Sequence, residues 1–95
     1  MEFKYKVESN IEIGQTLYGI IATTMCTYGG VFPIVVDEID YNEQEIIFKI
    51  DQPCKFVYCT FSQMNDLVFE TENEANTKFT NTKFGYGEGM WAVVN

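Results

Sequence analysis

Residues 31–51 read VFPIVVDEIDYNEQEIIFKID, two apolar runs on either side of a polar stretch. In the second run Ile46, Phe48 and Ile50 alternate with Glu45, Ile47 and Lys49, the period-two pattern of a strand with one buried face. The first run, 31–39, reads as its partner strand, entered just before Pro33. Proline carries no amide donor, so it belongs at a strand start or a sheet edge and not inside a central ladder. Asp40, Tyr41, Asn42, Glu43 and Gln44 link the two runs, and the whole is a β-hairpin. Adjacent residues of a strand face opposite ways, so Asp37 and Glu38 are expected to point apart.

The same strand grammar extends outward. Phe3, Tyr5 and Val7 alternate with Lys4, Lys6 and Glu8 in a half-buried strand. Residues 16–24 are rich in β-branched side chains and apolar on both faces, which predicts a long central strand with a bend or bulge at Gly19. Tyr28, Gly29 and Gly30 form a turn. Residues 55–61 supply another strand, Ser62 to Asp66 a loop, and Leu67, Val68 and Phe69 a short strand. Thr71 and Glu74 then have the spacing of a capping box, in which a hydroxyl caps the first helical turn. The helix it opens should be short, with Ala75 and Phe79 facing inward, and the glycines at 85, 87 and 89 stop it before a closing strand over 90–94. One domain over 1–95 follows. It is mainly β (α+β), a small, strongly curved antiparallel sheet or SH3-like barrel of about six strands with one short C-terminal helix, other α+β rolls staying open.

The stretch Val68-Phe69-Glu70-Thr71-Glu72-Asn73-Glu74-Ala75 resembles a closing motif, roughly V-F-L-T-x-E-E-A, of small uncharacterised proteins encoded by phages and mobile elements of gut Firmicutes. The likeness is close over these eight residues, departs at Glu70 and Asn73, and ends before the glycine-rich tail. It implies a source and the strand-then-helix layout, and carries no catalytic or binding residue. Abundant Lys, Asn and Ile without arginine suit the AT-rich genomes of such elements.

Fourteen Asp and Glu against six Lys and no Arg leave a net charge of -8. Such a field repels phosphate backbones, so direct nucleic-acid binding is not expected. Residues 31–53 hold six of the acids and a single lysine, which concentrates the field on the hairpin. Cys26, Cys54 and Cys59 are an odd set in a chain without histidine. They suit neither a full disulfide framework nor a histidine-containing zinc site, and read as free, buried thiols. Neither a signal peptide nor a membrane span is expected, and the location inferred is the cytoplasm.

Gly85, Gly87 and Gly89 lie after a helix and not before one, with Glu88 among them, so they read as a helix stop and not as a phosphate loop. A nucleophile without a histidine base, and no recognisable metal or cofactor motif, argue against an enzyme; no cofactor is expected. What stands out is Asp37, Glu38, Asp40, Glu43 and Glu45 on the hairpin, with Tyr41 and Tyr86 in turns where packing explains them least. Phe32, Tyr28 and Trp91 are further exposed-looking rings. These residues suggest a partner-binding surface for a basic protein, a nucleic-acid-binding enzyme among the candidates, blocked by mimicry of phosphate charge as by an anti-CRISPR protein. A homo-oligomer joined through a sheet edge, or a barrel holding a small ligand, are the alternatives from other classes.

Overall fold

The computed structural model describes residues 11–22, 29–52, 55–84 and 87–93. The strands are β1 (Thr16–Ile21), β2 (Gly30–Asp40), β3 (Glu45–Ile50), β4 (Phe56–Thr60), β5 (Val68–Phe69) and β6 (Trp91–Ala92). A 3-10 turn, Phe61–Gln63, runs into a single helical turn, α1 (Met64–Leu67), and a longer helix, α2 (Glu72–Asn81), follows β5. All strand pairs are antiparallel, in the order β5-β1-β2-β3-β4-β6, and the sheet curls into a half-barrel. The fold class read from the alternation is the one observed. The strand expected over 3–8 lies outside the described residues.

Alternation decides what fills the interior. Leu17, Ile34, Val36, Ile46, Phe48, Val57 and Cys59 point to one side of the sheet and are almost wholly buried. Each large aliphatic or aromatic side chain so buried contributes roughly 1.5–3 kcal/mol. Met64 and Leu67 of α1 join this cluster, with Val68 and Met90. Residues 62–66 therefore form helix where a loop was expected. The signal was present: Thr60-x-x-Gln63 has capping-box spacing, and the Thr60 amide donates to Gln63 Oε1 at 2.9 Å.

Met90 draws the sheet round at one end. Its N–H donates to the Ile20 carbonyl (2.9 Å) and its carbonyl accepts from Ala22 (2.8 Å), while the next residues, Trp91 and Ala92, pair with Tyr58 and Val57 of β4. The outer edge of β1 is thus shared, β5 pairing with Tyr18 and Gly19 and Met90 with Ile20 and Ala22. Gly19 makes no bulge here. It pairs regularly with Phe32 and Val68, and a Cβ in its place would run into Met90 Cε and Ile34 Cδ1. The glycine makes room for the closure.

Pro33 corrects a second expectation, since it lies within β2, paired with Tyr18. Val36 exchanges hydrogen bonds with Gln15 and Gly14 on the β1 side, so by alternation Pro33 directs its nitrogen to the β3 side. There β3 has already ended, its last pair being Ile34 with Ile50. The missing donor costs no ladder bond.

The helix signal holds in part. Thr71 is the N-cap of α2 and accepts from the Glu74 amide at 3.2 Å, while its hydroxyl donates to Glu74 Oε1 at 3.0 Å. The helix packs on β1, β2 and β5 with Ala75 fully buried, which accounts for the apolar character of both faces of β1. Phe79, expected to face inward, is 36% exposed and stacks on Phe84 at 5.7 Å. The helix stops at Asn81, ahead of the glycines, because Thr82 turns to extended backbone.

Candidate functional site

The acidic hairpin is shaped by one extra residue. Val36 pairs with Phe48 and Glu38 with Ile47, so Asp37 is the inserted residue of a β-bulge. Before it, Ile34 and Val36 point into the core; after it the phase is reversed, and Ile39 packs against the core while Glu38 stays exposed. Asp37 reaches Lys49 Nζ at 3.5 Å on the outer face. Asp37 and Glu38 therefore do not point apart as regular alternation requires. The bulge brings both to the outside, because an unbroken period of two would have driven Glu38 and Asp40 into the apolar interior.

Asp40 closes the turn. Its Oδ1 accepts from the amides of Asn42 and Glu43, both at 3.0 Å, an Asx-turn arrangement. Gln44 takes a left-handed φ of 56°, and its carbonyl accepts from the Phe61 amide at 2.9 Å. Tyr41 meets Phe61 edge-on, ring centres 6.0 Å apart, yet remains 56% exposed. Glu43 stands exposed at the tip.

The register assembles the rest of the face. Glu38 lies beside Ile47, Ile47 beside Tyr58, and Tyr58 beside Trp91, a row crossing β2, β3, β4 and β6. Asp40, Glu45 and Thr60 form the neighbouring row. Trp91 is 44% exposed and lies near Gly87, which has a φ of 83° and where a Cβ would come within 3.2 Å of the indole. A shallow groove of about 370 Å³ lies on this face, lined by Glu45, Ile47, Tyr58, Ala92 and Val93.

Charge pairing is uneven. Among the described residues, Asp37 is the one hairpin acid with a cation in reach, Lys49. Glu38, Asp40, Glu43 and Glu45 have none. The other ion pair, Lys78 with Asp66 at 3.7 Å, lies near a second groove between Phe69 and α2. Among the described residues, no cluster of three acidic or cysteine side chains is placed to hold a metal, and no helix is long and apolar enough to cross a membrane.

Asp37, Glu38, Asp40 and Glu45 thus share one face, with Glu43 and Tyr41 at its turn end. Tyr86, Tyr28, Cys26 and Cys54 lie outside the described residues. Phe32 is half-buried against the core. The contribution of Ile47 and Tyr58 was not singled out in the sequence, although the alternation of Phe56, Tyr58 and Thr60 with buried Val57 and Cys59 carried the signal. Cys59 is a small buried hydrophobe, its Sγ 3.5 Å from Met64 Sδ; burial, and secondarily the Glu45 carboxylate, push its thiol up to about 12. No family model matches this chain, and neither does any curated protein or solved structure, so the face described here is the basis for reading what the protein does.

Proposed function

We propose that this protein is a binding module without catalytic activity of its own, docking its acidic hairpin face onto a basic surface of another protein. The observation that carries the reading is the outer face of the hairpin, where the Asp37 bulge keeps Glu38 and Asp40 outward beside Glu43 of the turn and Glu45 of β3, and these four have no cation among the described residues. Unpaired carboxylates beside exposed rings attract cationic partners over a distance and give them apolar area to bury on contact. In its sharpest form the target is a nucleic-acid-binding enzyme whose groove accepts phosphates. The protein then acts as an inhibitor of the anti-CRISPR kind, encoded by a phage or mobile element.

Tagged protein serves as bait beside a variant carrying Asp37→Asn, Glu38→Gln and Asp40→Asn. Asparagine at 40 keeps an oxygen for the turn amides, so the variant should retain its fold, as thermal melting will report. Expected is capture of a basic nucleic-acid-binding protein at about 0.05 M salt, its release at about 0.5 M, where charges are screened within a few ångströms, and competition by duplex DNA. Equal capture by the folded variant would overturn the role of these carboxylates.

A further inference from the structure

We propose that the groove beside Glu45 receives an arginine side chain from a partner protein, a proposal that rests on the docking reading above and specifies its contact chemistry. The walls are of two kinds. Ile47 and Tyr58, paired directly across β3 and β4, offer an aliphatic and an aromatic surface, and Trp91 continues the row on β6. Glu45 adds a half-buried carboxylate with no cation in reach among the described residues. A guanidinium satisfies both: its plane stacks on a ring, and its fork of donors engages a carboxylate through two parallel hydrogen bonds. Lysine offers a strongly hydrated point charge that stacks less well. At about 370 Å³ the groove is near the lower end of ligand sites, roughly 300–1,000 Å³, a size suited to a side chain and its backbone.

The occupant must come from elsewhere. The chain contains no arginine, so neither its own segments nor a second copy can supply the guanidinium. Lys49, on the same face, is engaged with Asp37. The excess of carboxylates round the groove repels acidic segments and favours a basic one.

Trp91 is the sole tryptophan of the chain, so its emission reports on this face alone. The probe is a capped Gly-Arg-Gly-Arg-Gly peptide, compared with peptides bearing citrulline, a neutral isostere, or lysine. Expected are a saturable change with the arginine peptide, none with citrulline, and weaker binding of lysine by about threefold or more. Glu45→Gln should weaken the arginine peptide about tenfold, the scale of one charge-assisted contact. Tyr58→Phe should keep binding and Tyr58→Leu lose it; if the leucine variant unfolds, Glu45→Gln decides. Asp37→Asn with Glu38→Gln should change affinity by less than about threefold at 0.15 M salt, since these charges act at a distance. Equal binding of the citrulline peptide, no saturable change, or an unaffected Glu45→Gln variant would overturn the arginine site. Any of these, alongside partner capture that still depends on Asp37, Glu38 and Asp40, removes the groove proposal and leaves the docking reading standing.

Discussion

Gly19 and Gly89 flank the contact that draws the sheet round, and each is crowded in its own way. A methyl at 19 meets the ends of Met90 and Ile34, side chains that can yield, so Gly19→Ala should cost about 1–3 kcal/mol. A methyl at 89 meets backbone, Ala22 N at 2.8 Å and Ile20 O at 3.0 Å, in a residue whose φ is 114°. Backbone cannot step aside, and Gly89→Ala should cost more than Gly19→Ala in urea unfolding. Cys59 makes a prediction in pH. Its thiol is held protonated up to about 12, against an ordinary 9.0, so above pH 9 the unfolded chain releases a proton that the native state keeps. Stability from this group is complete below pH 9 and falls by up to about 1.4 kcal/mol per unit as pH rises toward 12. The unfolding free energy of the parent should therefore drop faster between pH 8.5 and 10 than that of Cys59→Ala; parallel slopes would refute it.

At the level of elements, the β2 bulge decides which way the neighbouring acids face, and the charge it carries adds little to stability. Its side chain makes one exposed ion pair, with Lys49, and such pairs contribute about 0–1 kcal/mol; Asp37→Ala should change stability by no more than that. Deleting Asp37 removes the bulge itself: Val36 opposite Phe48 and Glu38 opposite Ile47 become consecutive, so the alternation runs unbroken with Glu38 and Asp40 still outward and Ile39 still inward. The deletion should therefore stay within about 1 kcal/mol of Asp37→Ala in chemical denaturation. A loss above about 3 kcal/mol, the range for burying unpaired charge, would show that the register had shifted instead. α1 shows the complementary case, where a local cap at Thr60 and Gln63 starts a helical turn that places Met64 against Cys59.

Across the molecule, a net charge of -8 works against compactness, and the two ion pairs found among the described residues are largely exposed. Salt therefore screens more repulsion than attraction. Raising sodium chloride from about 0.02 to about 0.5 M should increase the melting temperature by a few degrees, while weakening capture of a basic partner. A melting temperature that falls with salt would show that pairing, and not self-repulsion, dominates the field. Opposite signs for folding and docking are what the proposed binding role requires of a surface charge that works against the fold.

Much of this protein follows from local chemistry in the chain. The alternation in β3 and β4 places Ile46, Phe48, Val57 and Cys59 inward because successive strand residues face opposite ways, and Thr71 begins α2 because its hydroxyl satisfies the Glu74 amide. Such rules act over a few residues and are legible without a fold. The bulge at Asp37, the tolerance of Pro33 and the row from Glu38 through Ile47 and Tyr58 to Trp91 were not legible. Each depends on which strand lies alongside and in what register, and register is decided by the burial of the whole apolar set at once. The concentration of acid on one hairpin was thus written in the sequence. That these acids share a face with Tyr58 and Trp91 was decided by tertiary packing, because only pairing between strands far apart in the chain brings those side chains side by side.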